Sequence, residues 1–271
     1  WEEGIRAPLI LDIHGGPTGT DMDRWSQSWA APNILWRQRG AFVLQVNYHG
    51  SAGYGLAWAE SIEGRYYELE IPDLEAGVDA VIARGLADPD RLASSGWSNG
   101  GILTAELITR TDRYRAASIG AADVEWISDW GNVDFGAAFD NYYFGGPPWE
   151  RLEHYIAKSP FFRLTEVTTP TVIYTGTADR NVPPHQSWSL FRALQQLERA
   201  PTRLVLHNVS LAEGRLAIED EAHPENWSLA IGPLGFFMQD FATLPEREGV
   251  YSLEATGPRG GTVNWSGNFA V

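Results

Sequence analysis

The chain has 271 residues, enough for one large α/β domain with a substantial core or for two small domains. Its formal net charge of −15 would repel a phosphate backbone, so no nucleic-acid partner is expected. There is no cysteine, which excludes disulfides, zinc–thiolate sites and a thiol nucleophile, and no apolar run nears the roughly 18–20 residues of a bilayer-crossing helix. A hydrophobic content of 44% and a mean hydropathy of −0.25 describe a soluble globular protein, with no membrane partner. The chain opens at Trp1 with no signal segment, which reads as a processed or trimmed start and assigns no compartment.

In chain order, "APLILDI" (7–13) is a short apolar run ending at "HGGP", the pattern of a buried strand feeding a loop. "AFVLQVNY" (41–48) is a second strand, followed by the glycine-rich "HGSAGYG". In "DLEAGVDAVIARG", Leu74, Val78, Val81 and Ile82 recur at helical spacing, with Pro72 and Asp73 at the start and Gly85 at the stop. "RLASSG" is a weaker strand running into Ser98, and "ILTAELITR" after it is a helix. "TPTVIYTG" (169–176) is a buried strand and "QSWSLFRALQQLERA" an amphipathic helix. "TRLVL" (202–206) and "RLAI" (215–218) are strand candidates, and "ENWSLAIGPLGFFMQDF" reads as a closing helix. Strands alternating with helices predict an α/β fold, a mostly parallel sheet with helices on both faces.

The chemistry concentrates at "GWSNGG" (96–101). Ser98 stands between glycines at i−2 and i+2, on the expected turn from strand to helix, as a nucleophile elbow requires. The helix N-terminus behind it offers N–H groups to a developing oxyanion. A serine nucleophile needs a base and an orienting acid, which in such a fold follow it in the order Ser, Asp, His. "TGTADRNVP" supplies Asp179 in the loop after a buried strand, 81 residues beyond Ser98. His14 and His49 precede Ser98, His154 precedes Asp179, and His185 lies too close to Asp179. His223, after "RLAIEDEA" and before the closing helix, is the favoured base; His207, inside "RLVLHN", is the alternative and fits a structural role better. No metal site and no cofactor are expected: there is no H-E-x-x-H, no Walker loop and no carboxylate–histidine cluster at metal spacing.

"HGGP", "NYHGSAGYG", "GWSNGG", "FGGPPWE" (144–150) and "GTADRNVP" follow one another in an order that resembles the prolyl oligopeptidase family of serine peptidases, nearest its acylaminoacyl-peptidase-like branch. The resemblance spans roughly residues 5–206 and implies an α/β-hydrolase catalytic domain. It implies cleavage of peptides, or of esters and amides of amino acids, through an acyl-enzyme, with Ser98 as nucleophile, Asp179 as acid and His223 as base. It also implies an oxyanion hole built from the backbone N–H groups of Gly16 and Asn99. The aromatic-rich segment 126–149 matches the family region that lines the substrate pocket, making Trp126, Trp130, Phe139 and Tyr143 pocket candidates, with plain core packing the alternative.

The chain departs from the family pattern at His49, where Arg is usual, at Asn99, often Tyr, and at "EAHP", usually "EGHG". The 44 residues from Asp179 to His223 imply an insertion near 207–216. Residues 1–245 are read as a hydrolase domain without its first strands or the family's β-propeller, and 246–271 as a tail of unassigned structure. Missing strands would leave a sheet edge near "APLILDI" open to self-association unless the tail segments "GVYSLEA" and "GTVNWSG" cover it. The leading function is a serine hydrolase acting on a peptide or a small ester or amide. The rivals are a carboxylesterase of the same fold and an inactive hydrolase-like binding domain.

Overall fold

The apolar run "APLILDI" forms a strand whose inward residues Leu9, Leu11 and Ile13 are almost completely buried. A computed structural model describes residues 4–23, 33–135 and 137–198, together with the backbone of strands within 205–212, 215–219, 228–229, 235–242, 248–256 and 262–270. The chain divides into two units, residues 1–201 and 202–271.

In the first unit, β1 (Ala7–Ile13), α1 (Asn33–Gln38) and β2 (Phe42–Leu44) are followed by α2 (Leu56–Ala59), α3 (Glu70–Ala83) and β3 (Ala87–Trp97). Then come α4 (Asn99–Ile108), β4 (Tyr114–Gly120), α5 (Trp126–Asp129), α6 (Ala138–Phe144) and α7 (Pro148–Lys158). A 3-10 segment, Pro160–Glu166, leads to β5 (Thr171–Tyr174) and α8 (Pro184–Gln196). The five strands form one sheet in the order β2-β1-β3-β4-β5, and every pairing in it is parallel. This is the doubly wound α/β arrangement that the sequence predicts.

Strand order reverses between β1 and β3, which are hydrogen-bonded neighbours whose outgoing chains turn to opposite sides. Ligands of open α/β sheets bind beyond the carboxyl ends of the strands at such a switch point. The two loops that leave it are His14–Pro17, after β1, and the turn at Ser98, after β3. Behind them α4 packs on β1, β3 and β4, and all ten of its residues are buried. Ile102, Leu103, Leu107 and Ile108 pack into the core, and the buried Glu106 is ion-paired with Arg110 and Arg163.

Two first-unit elements differ from expectation. β2 is three residues long because Gln45 and Asn47 leave the ladder for side-chain bonds with Asp12 and Asp21, while Tyr48 turns under the His14 loop. β4, which the pattern does not announce, is a short run of small residues, "YRAASIG", between β3 and β5.

The second unit is antiparallel: β6 (Val205–Ala212), β7 (Arg215–Glu219), β8 (Ser228–Leu229), β9 (Gly235–Ala242), β10 (Glu248–Thr256) and β11 (Thr262–Ala270), ordered β11-β10-β9-β6-β7-β8. The expected closing helix over 225–241 is therefore corrected, since 235–242 pairs on both sides as a strand. Gly232, Pro233 and Gly235 interrupt any helix there, Pro alone costing about 3 kcal/mol in a helix interior, whereas Phe236, Phe237 and Phe241 favour strand. The expected domain limit near 245 does not coincide with the division at 201/202. The tail segments are β10 and β11, which pair with β9 and with each other, and β1 is an inner strand flanked by β2 and β3.

Candidate active site

Ser98 sits between the last residue of β3 and the first of α4 with φ 57° and ψ −127°, a region that non-glycine residues rarely occupy. Its N–H donates to the Gly120 carbonyl of β4 at 3.0 Å, and its carbonyl accepts from Ile102 N–H at 2.9 Å. The neighbouring glycines are required by space. A methyl group on Gly100 would collide with the Ile13 carbonyl, one on Gly96 with the Gly100 backbone, and one on Gly101 with the Gly120 carbonyl. The sharp turn that "GWSNGG" predicts is thus enforced by three strands pressing against the start of one helix.

The loop after β1 faces this turn. A Cβ on Gly15 would lie 3.1 Å from the Trp97 carbonyl and 3.3 Å from Ser98 Cβ, and Gly16 has φ +137° with no room for a side chain. A buried polar chain locks the loop to the helix. Tyr66 Oη donates to Asn99 Oδ1, Asn99 Nδ2 donates to Tyr48 Oη at 2.9 Å, and Tyr48 Oη donates to the His14 carbonyl at 2.8 Å. Tyr48, Tyr66 and Asn99 are at most 1% exposed, and burial raises both tyrosines so that they stay neutral donors. The His14 ring stacks on Tyr48 at 4.4 Å, and its nitrogens bond the Gly15 carbonyl and Ser51 Oγ, each at 2.9 Å. The Asn99 N–H, at the first helical position, has no acceptor within its own helix. The N–H groups of Gly16 and Asn99 therefore belong to two loops that one network holds in register.

Ser98, Gly16 and Asn99 line a cavity of about 250 Å³ together with Ile102, Asp123, Phe135, Phe139, Asn181 and Val182. Of the four predicted pocket aromatics, Phe139 is on its wall. Trp126, fully buried, donates to Tyr67 Oη at 3.0 Å, Tyr143 packs on Tyr66 and Phe139, and Trp130 packs on Trp149. Phe135 and Asp123 were not among the pocket candidates; both lie within residues 121–168, a stretch dense in aromatic side chains.

Asp179 lies in the loop after β5, which Asp134 N–H joins by donating to the Arg180 carbonyl at 3.0 Å. Asp179 Oδ1 accepts from the N–H groups of Asn181 and Val182, each at 3.0 Å, so this carboxylate organises the loop that supplies two cavity residues. His49 is bound to Asp73 at 2.5 Å and stacks on Trp58 at 3.6 Å, away from the cavity wall. His207 lies on β6, and His223 lies outside the described residues. His223 was favoured for a place between a strand and a helix, whereas the next described element after β7 is strand β8.

Behind the cavity, three carboxyls are buried together. Asp123 is 3% exposed, with Oδ1 lacking a hydrogen-bond partner, while Asp129 and Asp140 are fully buried. Burial pushes all three well above the carboxylate range, and the mutual repulsion of the acids adds to it; Asp140 reaches about 8. Among the described residues, no group of three His, Cys, Asp or Glu side chains is arranged to hold a metal ion, and no helix is long and apolar enough to cross a membrane.

Residues 25–210 match the prolyl oligopeptidase family. The acylamino-acid-releasing enzyme of Arabidopsis thaliana is 32% identical over 203 residues, covering 72% of this chain and 26% of that protein. An uncharacterized peptidase of Bacillus subtilis is also 32% identical, over 75% of this chain and 31% of its own length. Among solved structures, the acylaminoacyl peptidase of Pyrococcus horikoshii superposes with a TM-score of 0.67 at 27% identity, over 73% of this chain and 32% of that one. A puromycin-hydrolyzing peptidase of Mycobacterium tuberculosis gives 0.65 at 32% identity, over 72% and 29%. The chain thus spans between a quarter and a third of the length of these relatives.

Proposed function

The chain belongs to the prolyl oligopeptidase family, and from that premise we propose that it is a serine hydrolase that cleaves peptide bonds, or aminoacyl amides and esters, through an acyl-enzyme. The observation that carries the reading is Ser98 itself, held at positive φ on a strand-to-helix turn and opening into a cavity beside Gly16 and Asn99. Strain of this kind persists only where the surroundings over-determine it, and it clusters at reacting groups.

In this reading His223 takes the Ser98 hydroxyl proton as Oγ bonds to the acyl carbon. The oxyanion receives the N–H groups of Gly16 and Asn99, and Asp179 orients the imidazolium. The proton then passes to the leaving amine or alcohol as its bond to the acyl carbon breaks, and water repeats the sequence to free the acid. The family relatives that carry peptidase names support peptide substrates for this site.

Turnover of aminoacyl anilides and nitrophenyl esters by the intact chain and its variants tests the reading. Ser98→Ala should lower kcat by about 10⁴–10⁶, as loss of a triad serine does. His223→Ala should be comparably inactive, while His207→Ala should keep most of the rate. A Ser98→Ala variant with more than about a tenth of the activity would remove the nucleophile from the proposal. An inactive His207→Ala beside an active His223→Ala would move the base to β6.

A further inference from the structure

The cavity beside Ser98 has walls of two kinds. Ile102, Phe135, Phe139 and Val182 are apolar, and Asp123 is the one ionisable side chain among the lining residues. Asp123 reaches the cavity from the turn after β4, with its backbone fixed from behind: the N–H groups of Val124 and Glu125 donate to Gln186 Oε1, each at 3.0 Å. Its carboxyl is 3% exposed, and Oδ1 has no partner. Asp129 on α5 shares a hydrogen bond with it, Asp140 on α6 and Asp179 in the loop after β5 repel its charge, and no cationic group acts on it. A buried carboxylate without a counter-charge is costly, and neighbouring carboxylates raise that cost. A cation in the cavity would offset it, with apolar walls to hold an alkyl or aromatic stem.

Resting on the hydrolase reading above, we infer that Asp123 is a specificity-determining residue: it binds a cationic group of the acyl residue whose carbonyl Ser98 attacks. The cation is either a basic side chain, with its stem along Phe135 and Phe139, or the free α-ammonium of an unblocked residue. Metal ions are a poorer fit, since Asp123, Asp129 and Asp140 are not disposed as a ligand set.

Paired anilide substrates separate the two sources. N-acetyl-lysine against N-acetyl-norleucine anilide reads a side-chain cation, and unblocked leucine against N-acetyl-leucine anilide reads an α-ammonium. In the wild type, one cationic member should exceed its neutral partner in kcat/KM by about tenfold or more, the worth of a charge-assisted hydrogen bond. In Asp123→Asn that ratio should fall towards one. As a check independent of the variant's folding, n-butylammonium should inhibit the wild type competitively and about tenfold more strongly than n-butanol. Neutral partners turned over as well as cationic ones, or a preference that survives Asp123→Asn, would overturn the inference and leave the hydrolase reading standing. No turnover of any of the four, with no covalent labelling of Ser98, would overturn both.

Discussion

At the scale of the residue, the elbow is an argument about volume. Gly100 abuts the Ile13 carbonyl so closely that a single methyl group has nowhere to go, and the obstacle is strand backbone. Gly100→Ala should therefore cost several kcal/mol, in the range of overpacking changes or beyond, and lower the melting temperature measured by calorimetry. Gly40, with open space around it, can take a side chain without collision, and only its φ of +83° resists one. An unchanged melting temperature in Gly100→Ala would mean that β1 and α4 are not pressed together as described. The glycine at this place was legible in the sequence, because G-x-S-x-G names the turn that needs it. The partner that makes it necessary was not, since Ile13 lies 87 positions away and only the sheet brings it near. Asn99 shows the same limit. Its departure from the more usual Tyr is visible at once, but its place between Tyr48 and Tyr66 depends on two long-range contacts.

At the scale of elements, the first unit was legible wherever one period dominated. "APLILDI" is a strand at the bounds read from its apolar run, and Leu74 and Val78 fall on the buried face of α3. β4 was missed because Ala116, Ala117 and Ser118 carry too little hydrophobic contrast to show a period of two. The second unit shows the opposite error: "GFFMQDF" (235–241) has enough apolar residues to imitate a helix face, while its backbone pairs as the strand between β6 and β10. A prediction belongs here. Met238 pairs with Val209 on β6 and with Tyr251 on β10, so Met238→Pro removes a donor from the middle of a ladder and should reduce strand content in far-UV circular dichroism. Ala270→Pro, at the end of edge strand β11, should change it little. Equal spectra for the two variants would contradict the strand order.

At the scale of the molecule, acidic residues are gathered in one inward place as well as spread outside: Asp123, Asp129 and Asp140 are buried together behind the cavity. The sequence shows these acids only as unremarkable members of an aromatic-rich segment, because burial, not spacing, sets their chemistry. Asp140 is raised from 3.8 to about 8, chiefly by burial and then by Asp129. A group raised in the folded state binds more protons folded than unfolded, so stability falls as pH climbs from about 4 towards 8. The loss at pH 8 is at most on the order of 5 kcal/mol. Asp140→Asn should accordingly raise the melting temperature at pH 8 and change it much less at pH 5; the reverse order would mean that Asp140 is not held protonated. The switch point, the locked loops and this acidic wall all converge on one hydroxyl, and its activation is the central claim. Treating the intact chain with a fluorophosphonate and mapping the adduct by mass spectrometry tests it most directly. The account predicts a single adduct on Ser98, absent from Ser98→Ala. An unlabelled chain, or an adduct on any other serine, would contradict it.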